Sequence, residues 1–458
     1  MYRGKHNRLL ISIISIGFLS FLGIVVETAL NIAFPQLTKY FSVPISQVQW
    51  LTTGYMLVST SLIPFGSFFL KRIRVVTLFR ISCLNFLTGT LIAGFSNSFQ
   101  LVLLGRLCQG IADGIALPLM FSVILNQVPQ KKVGTFMGIG SLVIAFAPAV
   151  GPIYGGIIQD TLNWHFLFII LVPFIIVTWV IGEFNIKQVL PVHHVTFDAR
   201  GGFFLALFLT TLLVFVVNLT ANSSSFKLNL SLLAIVCLSG IFFLHNEKNK
   251  TNKLLELSLF KNNQFLKLLS AFFLLQYSSL SMSYLIPNVL QILFNQSPSL
   301  AGILIAPAAV IDALLSVVAG IIYDKTTPRL PIISGCTIVG LTFFCAMLIT
   351  PNIVGLIVIY MSFMVGLSLS YSNIMTFSLS QLPVNLRNDG NAIYMTIQSY
   401  SGAVGIALAS SIISFMQEQR ATVIIGTKQG LEINFWLLFL VAMAALLLCL
   451  ITLKNKAH

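Results

Sequence analysis

The stretch Ala147-Pro-Ala-Val-Gly-Pro-Ile-Tyr-Gly-Gly156 lies inside an apolar run over about 132–158. Two prolines and three glycines in ten residues would disrupt a water-exposed helix. In hydrocarbon the chain has no other way to satisfy its backbone, and neighbouring helices absorb the irregularity. Small residues in such a helix let another backbone approach closely. Gly151, Pro152, Gly155 and Gly156, with Pro148 before them, are therefore expected to form a smooth face against which a second helix packs or rocks. Composition alone leaves packing and motion equally open.

The same kind of run recurs along the whole chain. Working outward from 132–158, apolar runs fall at about 9–34, 46–70, 75–96, 99–125, 164–184, 201–220, 228–245, 266–291, 299–323, 330–349, 353–380, 390–416 and 433–453. That makes fourteen, nearly all matching the roughly 20 residues a membrane helix needs. A barrel would show alternating segments of about ten residues, which these continuous runs are not. Of 458 residues, 57% are hydrophobic and 8% charged, against about 25% charged in soluble domains. A water-soluble globule is excluded, and the expected fold is an all-α polytopic membrane protein with fourteen spans.

The net charge of +14 belongs to topology rather than to nucleic acid, because the basic residues lie between apolar segments instead of on one soluble face. With the N-terminus inside, the cytoplasmic connections hold Lys71, Arg72, Arg74, Lys131, Lys132, Lys187, Arg200, Lys248, Lys250, Lys253, Lys261, Lys267, Lys325, Arg329 and Arg387. The outer connections hold only Lys39, Lys227, Arg420 and Lys428. This bias places both termini in the cytoplasm. The basic start of the chain precedes a run too long for a signal-peptide core, so it reads as a retained first span. The longest inner connection, 246–265, carries the amphipathic piece LLELSLF and is expected to lie on the membrane surface as a linker.

Ionisable groups at membrane depth are costly and are functional candidates for that reason. Of twelve acidic residues, Glu27, Asp113 and Asp312 fall deep in spans 1, 4 and 10, and Asp324 ends span 10. Arg106 is a buried cation in span 4. Positions 106, 109 and 113 share one helix face, so Arg106, Gln109 and Asp113 form a polar stripe about 10 Å long. Glu27 and Asn31 repeat that spacing in span 1. A carboxyl in such a place can pass a proton between the two sides or balance a cationic substrate. Neutralisation of Arg106 by Asp113 in a structural ion pair is the other reading.

Membrane-embedded enzymes place paired His, Asp or Ser near one face. Here His6 and His458 lie in the tails, His193, His194 and His245 in connections, and His165 beside Trp164 at the start of span 6. The six cysteines sit in apolar stretches with no CxxC pair, which argues against disulfides and a metal site.

These residues resemble the major facilitator superfamily, and within it the fourteen-span drug:proton antiporters of bacteria. Pro148 and the GPIYGG segment are similar to the antiporter motif of span 5. L104-G-R-L-C-Q-G110 resembles the span 4 motif, in which Arg106 takes the place of an arginine implicated in proton transfer. E27-T-A-L-N-I-A-F-P35, W50-L-T-T-G-Y-M-L57, Y284-L-I-P-N-V-L-Q291 and A301-G-I-L-I-A-P307 look like the family's signatures in spans 1, 2, 9 and 10. One loop departs: where the family's connection between spans 2 and 3 carries an Asp that latches the cytoplasmic side, G66-S-F-F-L-K-R-I-R74 has Leu70. Its second-half copy, G320-I-I-Y-D-K-T-T-P-R329, keeps Asp324. The resemblance then implies a cytoplasmic gate built on Asp324, Lys325, Arg329, Arg72 and Arg74.

The resemblance further implies two six-helix bundles, 1–190 and 266–458, with two extra central spans over 191–245 and the linker at 246–265. It implies alternating access, export of lipophilic cationic or zwitterionic drugs in exchange for protons, no cofactor, and a monomer in the bacterial cell membrane. Export of a native lipid or metabolite by the same exchange is the nearer rival, and a membrane-embedded enzyme the more distant one.

Overall fold

Backbone in hydrocarbon has no water to bond to and must close its own hydrogen bonds, which favours uninterrupted helix. The computed structural model describes residues 2–43, 45–188, 198–219, 226–248 and 254–454, with no strand among them. The long helices are α1 (Tyr2–Phe41), α2 (Trp50–Arg72), α3 (Val75–Phe95), α4 (Phe99–Gln127), α5 (Val133–Thr161), α6 (Phe166–Asn185) and α7 (Ala199–Leu219). They continue with α8 (Phe226–Lys248), α9 (Asn263–Phe294), α10 (Pro298–Lys325), α11 (Arg329–Leu348), α12 (Ile353–Ser380), α13 (Arg387–Gln419) and α14 (Val423–Lys454). Thirteen are long and apolar enough to cross a membrane, and α7 contributes the shorter apolar stretch Arg200–Val216. Each apolar run in the sequence thus corresponds to a helix of an all-α membrane protein.

Helix ends follow local chemistry. The Asn262 side chain accepts from the amides of Gln264 (3.0 Å) and Phe265 (3.2 Å) to start α9. Ser297 accepts from Leu300 N (3.2 Å) ahead of Pro298 at the start of α10, and Asn352 accepts from Gly355 N (2.7 Å) at the start of α12. Each satisfies an amide that the helix itself leaves open. α2 is interrupted by a tighter turn at Ile63–Phe65, where Pro64 supplies no amide hydrogen.

Close helix pairs use the same device in both parts of the chain. A Cβ added to Gly105 in α4 would sit 2.6 Å from the Gly89 carbonyl oxygen of α3, and one added to Gly335 in α11 would sit 2.6 Å from the Gly366 oxygen of α12. The backbones touch there, and no side chain can be accommodated without moving a helix.

α7 and α8 pack as a hairpin. Asn246, near the end of α8, donates to Asp198, at the start of α7 (2.5 Å), so the chain leaves and returns at one face. The Ser61 and Thr210 hydroxyls bond at 2.8 Å, tying α7 to α2. The Tyr400 hydroxyl donates to the Leu209 carbonyl, tying α7 to α13. Glu247 accepts from the amides of Leu254 (2.5 Å) and Leu255 (3.2 Å), drawing the following connection back under the hairpin. Leu254, Leu255 and Leu259 of the amphipathic piece are buried against the protein. Residues 249–253 of the linker, and His193 and His194, lie outside the described residues.

Gly105→Val is expected to destabilise the protein by about 1–3 kcal/mol through overpacking. Gly302→Val, where an added Cβ meets nothing within 4 Å, is expected to leave the thermal midpoint within a degree or two of the parent's; thermal unfolding in detergent compares the two.

Candidate functional site

Arg106 is fully buried in α4. Its Nε donates to the Leu51 carbonyl of α2 (2.9 Å), one terminal nitrogen donates to Gln109 Oε1 (2.6 Å), and its guanidinium carbon stands 4.2 Å from the Tyr55 ring centre. Gln109 in turn donates to the Thr90 hydroxyl of α3 (2.8 Å). This combines hydrogen bonding with a cation–π contact.

Two helical turns on, Asp113 accepts from the Ser59 hydroxyl of α2 (2.8 Å). It forms no direct ion pair with Arg106: the ion pairs among the described residues are Lys71–Asp389 and Arg80–Glu183. A purely structural Arg106–Asp113 pair is therefore not what the geometry holds. The second Arg106 terminal nitrogen and Asp113 Oδ1 are buried without a hydrogen-bond partner in the protein. Glu27 of α1 faces the same cluster, within electrostatic range of both Arg106 and Asp113. The side chain of Asn31 lies outside the described ones.

The span 5 motif packs directly against this cluster's helix. A Cβ on Gly151 would lie 1.7 Å from Thr28 Oγ1, and one on Gly155 2.9 Å from Ala29 Cα, so α5 rests on α1 beside Glu27. Gly156 does not belong to this contact, since an added Cβ there meets nothing within 4 Å. Its position follows from helical geometry: residue 155 shares the face of 151, whereas 156 is turned a further 100° away. The Pro152 ring is outside the described side chains. Pro148 lines a central cavity.

That cavity, about 200 Å³, lies where α4 and α5 meet α9, α10, α12 and α13. Its two walls differ in chemistry. From the first half come Phe121, Ser141, Ile144, Ala145 and Pro148. The later helices supply Gln276, Ser283, Asp312, Tyr360, Tyr371 and Gln398 among others, so nearly every polar group is on their side. Asp312 is the one acid of this wall, and Ser368 donates to its Oδ1 (2.6 Å). Glu27, Arg106 and Asp113 do not line it. The sequence-marked charges thus divide into a cluster sealed among α1, α2, α3 and α4 and a single carboxylate facing the cavity.

At the face carrying the basic connections, Asp324 crosses to the start of α5. It accepts from Gly134 N (2.9 Å), Thr135 N (2.7 Å) and the Thr135 hydroxyl (2.6 Å), where the helix dipole favours an anion. The expected basic members of this gate do not take part: Arg72, Arg74, Lys325 and Arg329 point to the surface and form no ion pair. Their charge is better hydrated than paired. A second contact, not anticipated from the sequence, stands opposite. Lys71 donates to both carboxylate oxygens of Asp389 in the first turn of α13 (3.1 and 3.0 Å), and the Ser67 hydroxyl bonds the same carboxylate. Asp389 is only 1% exposed. Asn391 on the next positions donates to the Pro118 carbonyl and Ser122 hydroxyl of α4, each at 3.0 Å. Where Leu70 replaces the loop carboxylate, the carboxylate comes from the facing helix and the loop supplies the cation. An acid in the first turn of a helix, Arg387-Asn-Asp389, is the sequence signal that could have found it.

No group of three or more His, Cys, Asp or Glu among the described residues could hold a metal ion.

The Major Facilitator Superfamily model matches residues 16–406, and the chain belongs to that superfamily. It is a transporter and not an enzyme. The lincomycin resistance protein LmrB of Bacillus subtilis is 32% identical over 410 residues, spanning 88% of this chain and 85% of that protein. The multidrug export protein EmrB of Haemophilus influenzae is 26% identical over 420 residues, spanning 89% and 81%. Among solved structures, the proton:xylose symporter XylE shares the fold, with a TM-score of 0.67 and 13% identity over 96% of this chain and 94% of that one.

Gly151→Ala is expected to unseat α5 from α1 and lower the thermal midpoint, while Gly156→Ala leaves it unchanged. A double-mutant cycle on Lys71→Gln and Asp389→Asn, read by thermal unfolding, is expected to give a coupling of about 1–3 kcal/mol, reduced by the partial exposure of Lys71. Additive single effects would show that Lys71 and Asp389 do not stabilise one another.

Proposed function

We propose that this transporter exports lipophilic drugs with a cationic or zwitterionic end in exchange for protons. The observation that carries the reading is the two-sided cavity: Asp312 stands on a polar wall opposite an almost wholly apolar one. A molecule with a charged end and a greasy body fits that arrangement in one orientation, its charge against Asp312 and its body against Phe121, Ile144 and Pro148. The names of LmrB and EmrB, which concern drug resistance and drug export, support the same class of substrate.

The proton belongs to the sealed cluster. Glu27 and Asp113 each add or lose a proton beside Arg106, whose second terminal nitrogen has no protein partner to compete for it. Coupling runs through α5, which touches the α1 helix of Glu27 through Gly151 and Gly155 and the cavity through Pro148. Protonation that shifts α1 moves α5 and with it the apolar wall, so substrate and proton favour opposite states of the cavity. The moving bodies are residues 1–190 and 266–458, with 191–245 as an inserted hairpin and 246–265 as its linker. In the bacterial cell membrane the basic face is cytoplasmic, both termini lie there, and Asp324 and Asp389 close that side. The proton gradient drives the cycle without a cofactor, in a single chain.

In inverted vesicles, Asp312→Asn is expected to slow accumulation of a monovalent cationic dye about tenfold, the equivalent of ~1.4 kcal/mol, with much less effect on a neutral lipophilic substrate. Equal losses for both would remove Asp312 as the charge partner. Asp113→Asn and Glu27→Gln are expected to retain dye binding but to abolish substrate-induced proton release in detergent; release at the parent level would overturn the proton assignment.

A further inference from the structure

A carboxamide inside a membrane helix has little to bond to except backbone, and it commonly turns back onto a carbonyl of its own helix. Asn288 of α9 donates to the Tyr284 carbonyl (2.7 Å), Asn373 of α12 to the Leu369 carbonyl (2.9 Å) and Asn434 of α14 to the Gly430 carbonyl (2.8 Å). Two glutamines well inside their spans do otherwise. Gln276 of α9 and Gln398 of α13 are half-buried, and neither side chain has a hydrogen-bond partner among the described residues. Both line the central cavity that also holds Asp312.

The packing of α9 on α13 sets the two amides at one level. The Phe272 and Tyr394 ring centres are 4.9 Å apart, and a Cβ added to Gly402 would collide with Leu280. Gln276 lies midway between Phe272 and Leu280, and Gln398 midway between Tyr394 and Gly402. They face one space from neighbouring helices and do not bond each other. Each carboxamide carries two N–H donors and an acceptor oxygen. Water can satisfy them in an empty cavity, but a cargo that displaces this water leaves them bare unless it replaces the bonds. A cation with a purely hydrocarbon body cannot do so, whereas an amide or hydroxyl, which both donates and accepts, can.

We propose that Gln276 and Gln398 determine specificity by holding a neutral amide or hydroxyl group of the cargo while Asp312 holds its charge. The substrate class narrows from lipophilic cations in general to amines that carry such a group. A site built on these bonds discriminates against an analogue that lacks them, because its own polar groups are then left unpaired. The inference rests on the export reading above, in which this cavity holds the cargo.

The test is equilibrium dialysis of the purified full chain in detergent with three cations. Procainamide and procaine share a tertiary amine and an aromatic ring and differ by an amide N–H against an ester oxygen; tetraphenylphosphonium has no hydrogen-bonding group. The parent chain is expected to bind procainamide about fivefold more tightly than procaine, the worth of one hydrogen bond. Gln276→Met with Gln398→Met, which keeps side-chain length, is expected to bring the two to parity and to leave tetraphenylphosphonium binding at or above the parent level. Should the double variant fail to fold, each single variant is expected to show a reduced preference for the amide. Equal affinity for amide and ester in the parent, or an unchanged preference in the folded variants, would overturn the inference. An equal loss of all three probes would also overturn it, by marking the glutamines as packing groups. Tetraphenylphosphonium binding that depends on Asp312 without any amide preference leaves the export reading standing and removes the specificity assignment alone. Failure of every cation to bind removes both.

Discussion

One helix is held at three points along its length, twice by α10 and once by α1. α5 has its first amides capped by Asp324 of α10. Its Gly138 lies so near α10 that an added Cβ would stand 2.3 Å from the Ser316 carbonyl, and its far part rests on α1 through Gly151 and Gly155. Between these contacts it lends the cavity its apolar side. Small residues make this possible, because attraction between membrane helices comes from close backbone approach and not from exclusion of water. A side chain at any of those glycines would push α5 away from α10 or α1.

The two halves solve one electrostatic problem with opposite polarity. Each brings the last turn of one helix beneath the start of a helix from the other part of the chain. In one case an anion, Asp324, meets bare backbone amides; in the other a cation, Lys71, meets a carboxylate built into the helix itself, Asp389. Both leave an acid in the first turn neighbourhood of a helix, where the dipole favours it. Leu70, beside Lys71, takes no part in either contact, and the carboxylate is supplied from the facing helix.

Much of this was legible in the amino-acid order, for reasons that also explain the rest. The helices were visible because hydrocarbon tolerates almost nothing else, and Glu27, Arg106, Asp113 and Asp312 stood out because charge is scarce in apolar runs. Lys71 and Asp389 did not stand out, since both occur at the ends of runs, where charge is ordinary. The polar cavity wall was equally quiet. Ser316 and Ser368 of that wall bond within their own helices, as Ser316 does to the Ala313 carbonyl (2.8 Å), so a hydroxyl in a span carries little penalty and little signal. Gly156 was grouped with Gly151 and Gly155 by proximity in sequence, and the 100° step between adjacent residues separates it in space. The separation of the sealed cluster from the cavity needed three dimensions, because Asp113 and Phe121 share α4 and which neighbouring helices meet each level and face of it is set by packing.

The bond between Asp198 and Asn246 has an arithmetic consequence. A segment that begins and ends on one face adds an even number of crossings, so everything downstream keeps its handedness with respect to the membrane. One added helix would turn the second half upside down and set Asp324 and Asp389 against the wrong ends of their partners. Two together leave the direction of every later helix as it was, so the hairpin's bonds to α2 and α13 form without reversing either partner.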